Sequence, residues 1–204
     1  MSKKIVLIGA SGHGKVVADI AKKNGYLEIV FLDDNDSAFM CAGYPVVGKC
    51  SDAKKFADYD FFVSIGNAIV RESIQNKLKN LGLTVATLAH PCAIIADDVT
   101  LGSGTVVMAG AVVNPGTKIG NGCIINTCSS VDHDCEIQDY SHISVGAHVA
   151  GNVQVGSHTW IGAGATIINN ITITSNCMIG AGAVVAKSIE QQGIYKGIPA
   201  RISR

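Results

Sequence analysis

The sequence predicts an α/β domain over residues 1–88, followed by a parallel β-helix over residues 89–204 that includes a short C-terminal tail. Three observations support this prediction. Apolar strand-type runs alternate with helical patterns in the first part, and an aliphatic residue recurs every six residues in the second. In addition, 48% of the residues are hydrophobic but only 5% are aromatic, so Ile, Val and Ala must fill the interior. Such small side chains suit thin, regular β layers.

The first 88 residues carry strand and helix signals in alternation. Residues 5–8 form a strand-type apolar run, a glycine-rich turn follows, and apolar residues then recur at helical spacing. Two further strands are predicted at EIVFLDD (28–34) and DFFVSIGN (60–67), and RESIQNKLKNLG (71–82) is typical of an amphipathic helix. Strands that alternate with helices indicate a parallel sheet.

A six-residue repeat governs the rest of the chain. Ile, Leu or Val occupies all sixteen positions reached by steps of six from Ile95 to Val185. With a chance of about 0.3 at each position, such a run arises about once in 10⁸ trials. Three hexapeptides form one triangular coil of about 18 residues, and stacked coils bury the aliphatic column. A small residue two positions earlier also points inward, and Cys123, Cys135 and Cys177 are predicted to fill that slot.

Charge and composition exclude several classes of protein. The net charge is zero, but residues 1–88 carry +2, residues 89–186 carry −5 and residues 187–204 carry +3. The acidic middle argues against nucleic-acid binding, which requires a basic face. Seven cysteines without a CxxC pair favour a reducing, cytoplasmic location. No run approaches the ~20 apolar residues of a membrane helix, so we expect no membrane insertion.

Polar residues and glycines follow three strands of the α/β domain. GASGHG (9–14) joins a strand to a helix, Asp33 and Asp34 end the next strand, and Gly66 and Asn67 end a later one. Carboxyl ends of parallel strands and helix N-termini bind ligands, phosphates above all. The pattern is GxxGxG rather than the dinucleotide pattern GxGxxG, and a nicotinamide cofactor is the alternative that such a turn suggests.

One histidine in the β-helix is flanked by carboxylates. In SSVDHDCEI, His133 follows the aliphatic Val131 by two positions, so it lies on a corner and points outward. Histidine suits a general base near neutral pH, and Asp132 and Asp134 compete as the carboxylate that accepts the other ring N–H. His142 lies half a coil further on, across the triangle, so the two histidines can meet only between two chains packed side by side.

The whole chain resembles the hexapeptide acyltransferases with an N-terminal nucleotide-sugar domain. GASGHG, FLDD, YDFFVSIGN, the INT…HDC segment, SHISVGAHVAGNVQVG and the closing YKGIPAR carry the resemblance. It is strongest to the bacterial aminosugar N-acetyltransferases of bacillosamine-type pathways and to the sialic acid O-acetyltransferases. The resemblance implies a Rossmann-like first domain, a left-handed β-helix, a homotrimer, acetyl-CoA as donor and a nucleotide-linked sugar as acceptor.

The resemblance also implies roles for individual residues. His133 is implied as the base, and the family motif selects Asp134 as its partner. His142 is implied to contact acetyl-CoA near the thioester, and the backbone amides of Ala163 and Ala181 to bind the pantetheine arm. Ser11, Gly12 and His13 are implied to meet the diphosphate or sugar, and Asp33 and Asp34 the uridine. Asn126 is a candidate to position the acceptor nitrogen.

These observations predict an acetyl-CoA-dependent N-acetyltransferase of a UDP-linked 4-amino sugar, with no resident metal. Within the same enzyme class, the alternatives are O-acetylation of a sialic acid and N-acetylation of a GDP-perosamine-type sugar. The fold also hosts zinc carbonic anhydrases of the γ type, which use three interfacial histidines. A non-catalytic sugar-nucleotide-binding scaffold is the remaining alternative.

Overall fold

The computed structural model describes residues 3–203 and divides into two compact units, Met1–Pro91 and Cys92–Arg204. The division lies close to residue 88, where the pattern of the sequence changes. Each unit has its own buried core.

The first unit is a five-stranded sheet flanked by helices, with strand order β3-β4-β2-β1-β5. β1, β2, β4 and β5 run parallel, whereas β3 pairs antiparallel with β4. The elements are β1 (Lys3–Ile8), α1 (Gly12–Lys23), β2 (Tyr26–Leu32), β3 (Met40–Cys41), β4 (Tyr44–Gly48), a 3₁₀ helix (Cys50–Phe56), β5 (Asp60–Val63), α2 (Ala68–Asn80) and β6 (Leu88–Ala89).

The spacing of apolar residues explains which faces of the strands and helices are buried in this unit. Residues Ile5–Ile8 of β1 are all buried, and β1 is an interior strand that pairs with β2 and β5. Val17, Ala18, Ile20 and Ala21 form the buried face of α1. Since β2, β1 and β5 are adjacent and parallel, their carboxyl ends lie at one edge of the sheet. That edge carries the glycine-rich turn, the Asp33–Asp34 pair and the Gly66–Asn67 pair.

The second unit is a parallel β-helix with three faces, most of whose strands are two residues long. Face 1 contains β7 (Ile94–Ile95), β10 (Val112–Val113), β13 (Ser130–Val131), β16 (His148–Val149), β19 (Thr166–Ile167) and β22 (Val184–Val185). Face 2 contains β8 (Thr100–Leu101), β11 (Lys118–Ile119), β14 (Glu136–Ile137), β17 (Gln154–Val155) and β20 (Thr172–Ile173). Face 3 contains β9 (Val106–Val107), β12 (Ile124–Ile125), β15 (His142–Ile143), β18 (Trp160–Ile161), β21 (Cys177–Ile179), β23 (Gly193–Lys196) and β24 (Arg201–Ile202).

The register of the sheets follows the sequence period. Val113 pairs with Val131, and Val131 pairs with Val149, each 18 residues apart, which is one coil. Corners turn at a left-handed residue three positions after an aliphatic residue, such as Gly116, Asp134 and Asn152. Gly, Asn and Asp tolerate this backbone conformation best, which explains their recurrence at this position.

The side chains in the small inward slot fill space and also form hydrogen bonds between neighbouring coils. The Thr117 hydroxyl donates to the carbonyl of Asp132 at 2.7 Å and accepts the N–H of Cys135 at 3.2 Å. Thr105 makes the same pair of bonds to Gly120 and Cys123. The Cys135 thiol, predicted as a simple filler, donates to the carbonyl of Ala150 at 3.1 Å. Hydroxyl and thiol groups therefore satisfy backbone groups that the corners leave unpaired.

We predict that Thr117→Val lowers the stability of the β-helix by about 2 kcal/mol, because an isosteric methyl leaves a buried carbonyl and a buried N–H unpaired. The melting temperature should fall by about 4–8 °C. The control is Thr166→Val, since Thr166 is exposed on face 1 and should leave the melting temperature unchanged. Equal melting temperatures for the two variants would contradict the structural role of the Thr117 hydroxyl.

Candidate active site

His133 lies on the corner between β13 and β14, where the backbone leaves face 1 for face 2. Val131 and Cys135 on either side are buried, whereas the His133 side chain is 58% exposed. Asp134 adopts the left-handed conformation, with φ of 57°, and this turns its carboxylate back toward the ring. The Nδ1 atom of His133 lies 2.9 Å from Oδ2 of Asp134. The regular core therefore continues beneath an outward-facing histidine–carboxylate pair.

Asp132, the other candidate partner of the ring, is engaged elsewhere. Its Oδ1 accepts the backbone N–H of His133 at 2.8 Å and the amide of Asn114 at 2.7 Å. Asn114 lies one coil earlier in the sequence, so this bond connects two coils. The structure thus gives the two carboxylates different tasks: Asp132 fixes the corner, and Asp134 contacts the imidazole.

These contacts shift the protonation equilibria at the corner. The pKa of His133 is raised above its ordinary value, chiefly by the hydrogen bond to Asp134 and further by the charges of Asp132 and Asp134, while desolvation opposes the rise. The hydrogen bonds from Asn114 and from the backbone of His133 hold the pKa of Asp132 below its ordinary value. With Nδ1–H donated to Asp134, Nε2 is the ring atom that accepts a proton.

We predict that Asp134→Asn lowers the pKa of His133, because the variant removes the interaction that raises it most. A base must be deprotonated to act, so the acid limb of the kcat/KM profile should move to lower pH, while the plateau rate falls about tenfold. The pH profile of the purified variant measures both effects. Asp132→Asn removes the same charge without a bond to the ring and should shift the limb less. An acid limb that stays in place would contradict the assignment of Asp134.

His142 lies on face 3, in the middle of a stack of polar and aromatic side chains. Its Nε2 is 3.0 Å from the Asn126 amide nitrogen, and the Asn126 carbonyl oxygen accepts the N–H of Thr127 at 2.8 Å. This second bond orients the amide, so Nε2 of His142 accepts and Nδ1 carries the proton. The ring also stacks on Trp160, with centroids 5.2 Å apart and planes 24° apart, and the indole N–H donates to Ser144.

A groove of about 470 Å³ opens beside His142 on this face. Its lining is largely apolar and includes His142, Trp160, Met178, Ala163 and Ala181. Ala163 and Ala181 are both exposed and lie one coil apart. Such a groove, largely apolar and lined by exposed alanines, fits a flexible amide-containing chain such as pantetheine.

Backbone conformation and coil packing explain the glycines of the two GAGA segments, at 162–165 and 180–183. Gly164 and Gly182 adopt left-handed φ values of 64° and 66°, and a β-carbon on either would face open space. A β-carbon on Gly162 would lie 2.4 Å from the carbonyl oxygen of Ile179. The left-handed corner therefore favours glycine at 164 and 182, whereas coil packing requires it at 162.

The glycine-rich turn of the first unit is held by Asp33. Its carboxylate accepts the N–H of Ala10 at 2.6 Å and that of Asn35 at 2.9 Å. Ser11 is the N-cap residue of α1 but makes no side-chain capping bond, and Gly12 opens the helix with space above it. The N–H groups at this helix end form a site suited to an anion.

The other predicted ligands of this unit also have structural contacts. The Asp34 carboxylate accepts the N–H of Cys50 at 2.9 Å. Asn67 is the N-cap of α2, where its side chain accepts the N–H of Val70 at 3.1 Å, and α2 begins at Ala68 rather than near residue 71. Gly66 supplies a carbonyl to a buried arginine and leaves open space where a β-carbon would lie.

A half-buried histidine, His13, and a buried arginine, Arg71, lie close to the turn. Burial, together with the positive charge of Arg71, lowers the pKa of His13 to about 4, so this histidine is neutral at pH 7. Arg71 is fully buried and donates to the carbonyls of Ile65 and Gly66, both at 2.8 Å. Sequence reasoning missed Arg71, although a cation in the first turns of a helix opposes the helix dipole and signals a specific contact.

Comparison with known proteins assigns both units to one family. Residues 4–78 match the model of the PglD N-terminal domain, and residues 98–133 and 152–187 match that of the bacterial transferase hexapeptide with six repeats. The acetyltransferase domain of PglB from Neisseria gonorrhoeae FA1090, in complex with acetyl coenzyme A, is 38% identical with a TM-score of 0.96, and the match covers 100% of both chains. The chain belongs to the hexapeptide-repeat acetyltransferases with a PglD-type N-terminal domain. The predicted fold, an α/β domain followed by a left-handed parallel β-helix, is confirmed.

Two further relatives of this acetyltransferase family are similar to the chain. PerB from Caulobacter crescentus, in complex with CoA and GDP-perosamine, is 32% identical with a TM-score of 0.93, covering 100% of this chain and 99% of that chain. The UDP-N-acetylbacillosamine N-acetyltransferase of Bacillus subtilis (strain 168) is 34% identical over 113 residues, which is 52% of each protein. The chain spans about half or less of the length of the curated relatives it matches.

Residues 3–203, which the structure describes, contain neither a metal-binding cluster nor a membrane-spanning helix. No group of three or more His, Cys, Asp or Glu side chains in that range is placed to hold a metal ion. None of the helices there is long and apolar enough to cross a bilayer.

Proposed function

We propose that the protein is an acetyl-CoA-dependent N-acetyltransferase that acetylates the amino group of a UDP-linked 4-amino sugar, with His133 as general base. The observation that carries this proposal is the 2.9 Å contact between Nδ1 of His133 and Asp134 on an exposed corner. This contact leaves Nε2 as the proton acceptor and places a carboxylate to stabilise the imidazolium. The family of the chain and its solved relatives support the reaction class.

In the proposed reaction, acetyl-CoA supplies an activated acyl group as a thioester. The sugar nitrogen attacks the thioester carbonyl, so an N–C bond forms as the C–S bond breaks. Nε2 of His133 takes the proton that the nitrogen loses, and the proton then passes to the departing CoA thiolate. Asp134 stabilises the transient positive charge on the ring and keeps Nδ1 protonated throughout.

We assign acetyl-CoA to the groove on face 3. The PglB domain and PerB are in complex with acetyl coenzyme A and CoA, respectively. The amides of Ala163 and Ala181 would bind the pantetheine arm, and the His142–Trp160 stack would form the wall near the thioester. Asn126, the candidate to position the acceptor nitrogen, is assigned to orient His142, since its amide nitrogen contacts that ring while its carbonyl oxygen accepts the N–H of Thr127.

The nucleotide is assigned to the first unit. The N–H groups at the start of α1, with Ser11, Gly12 and His13, would contact the diphosphate or sugar. Asp33 and Asp34 retain free lone pairs beside their turn contacts and would meet the uridine. His13 is neutral at pH 7, so it would act as a hydrogen-bonding group rather than as a cation. Gly66 would line this edge, and Asn67 would shape it as a helix cap. We further propose a homotrimer with active sites between subunits, working in the cytoplasm.

The acceptor is tested by following CoA thiol release against a panel of UDP-4-amino sugars, GDP-perosamine and a sialic acid. The proposal expects the highest kcat/KM with a UDP-4-amino sugar. GDP-perosamine is the second candidate because PerB was solved with it. A response to sialic acid alone would contradict N-acetylation. Stoichiometric zinc in the purified protein, with no thiol release from any acceptor, would favour the carbonic anhydrase alternative.

A further inference from the structure

Gly151 is a glycine that the β-helix itself does not require. It lies two positions after the aliphatic Val149, and this slot recurs sixteen times between Asp97 and Lys187. Gly151 is the only glycine among the sixteen, and three of the others are alanine, namely Ala109, Ala163 and Ala181. The left-handed residue of its corner is the next one, Asn152, whose φ is 56°. The repeat therefore accepts a β-carbon in this slot.

The space above Gly151 is occupied by the imidazole of His133, which lies one coil earlier. A β-carbon built on Gly151 would be 2.5 Å from Nε2, 2.7 Å from Cε1 and 3.1 Å from Cδ2 of that ring. Real β-carbons do not approach other atoms this closely. The ring and a side chain at position 151 thus exclude each other.

The backbone cannot separate to relieve such a clash. The N–H of Asn152 donates to the carbonyl of His133 at 2.9 Å, and β13 pairs with β16 in regular register immediately before this corner. Since the two coils are fixed, only the side-chain torsions of His133 can respond. The ring is exposed and free to swing outward, so the cost would appear in its position rather than in the stability of the fold.

We propose that Gly151 is a positioning residue for the general base. Because Gly151 has no side chain, the His133 imidazole can lie over the next coil, with Nε2 next to Gly151 and Nδ1 directed to Asp134. The inference rests on the proposed function for its catalytic meaning, but the placement of the ring is a property of the structure alone. Gly151 acts through His133.

The test is Gly151→Ala, assayed by NMR titration of the His133 ring, thermal unfolding and thiol release. We expect a folded protein whose melting temperature stays within about 3 °C of wild type, since surface rearrangements cost little. The pKa of His133 should fall toward its ordinary value because the displaced ring loses its hydrogen bond to Asp134. kcat should fall about 10²-fold, the effect of moving a catalytic group by about 1 Å, with the KM for acetyl-CoA unchanged.

His133→Ala/Gly151→Ala, compared with His133→Ala, serves as the matched control. Once the ring is absent, the three atoms nearest to a methyl at 151 are gone, so the methyl should change neither the melting temperature nor the residual rate. A His133 ring that titrates in Gly151→Ala as in wild type would overturn the proposal. A lowered His133 pKa with full activity would uphold the positioning role and contradict His133 as the base of the proposed function.

Discussion

His133→Ala is expected to lower kcat for acetyl transfer about 10³-fold, because general base catalysis by a placed histidine contributes 10²–10⁴-fold. The loss should be kinetic and not structural. The ring is 58% exposed, and the buried neighbours Val131 and Cys135 keep the corner in register without it. We therefore expect the melting temperature to stay within about 2 °C of wild type. Thiol release at saturating acetyl-CoA measures the first effect, and thermal unfolding the second.

Two control variants test whether the loss of rate is due to the missing base at position 133. His133→Asn keeps a polar side chain at the corner but cannot accept the proton, so it should be as slow as alanine. His158→Asn replaces a histidine on another corner, where φ is 58° and the ring stacks on Tyr140, with a residue that tolerates that backbone. It should retain the wild-type rate. If His133→Ala kept more than a tenth of that rate, His133 could not be the base.

The β-helix was predictable because one physical demand repeats every six residues. Each hexapeptide points one aliphatic residue inward, three in every coil, so sixteen positions carry the same constraint. Only residues that point outward, such as His133 on a corner and His142 on a strand, are free to vary. Position alone does not choose between Asp132 and Asp134, since both flank the histidine, and only the family motif selects Asp134. The structure distinguishes the two carboxylates. The amide of Asn114, which lies 18 residues before Asp132, donates a hydrogen bond to the Asp132 carboxylate.

The same 18-residue period could have revealed Trp160. It follows His142 by one coil and stacks on it, so the aromatic wall of the groove was implicit in the repeat. Gly151 could have been found likewise, as the glycine one coil beyond His133. Both depend on comparing neighbouring coils rather than neighbouring residues.

The first unit was less predictable because its irregular parts have no period. β3, β4 and the 3₁₀ helix are short, and the pairing of β4 with β2 and of β3 with β4 depends on contacts that no local pattern contains. Asn67 was expected as a ligand, whereas its side chain caps α2, since a polar residue at a strand end suits either task. Arg71 follows an amphipathic pattern that normally points a cation to solvent, but loop carbonyls bind it in the interior.

Mixed oligomers of His133→Ala and His142→Ala subunits are expected to regain activity that neither variant has alone. His133 lies on the corner between faces 1 and 2, and His142 lies on face 3, the side of the triangle opposite that corner. One chain cannot present both rings to the same small molecule. In a ring of three subunits, each site would take His133 from one chain and His142 from its neighbour.

The amount of activity that mixed oligomers should regain follows from random assembly of the two variants. In an equal mixture, a site is intact when the first chain keeps His133 and the second keeps His142, each with a chance of one half, so about a quarter of the wild-type rate should return. Co-expression with two affinity tags, followed by sequential purification, removes the trimers of a single variant. Each mixed trimer has one intact site in three, so the purified mixed species should have about a third of the wild-type rate. Mixing His133→Ala with His133→Asn should restore nothing, because every site then lacks the base. If the first mixture stayed as inactive as its parents, the sites would not be shared in this way, since only sharing lets one defective chain complement another.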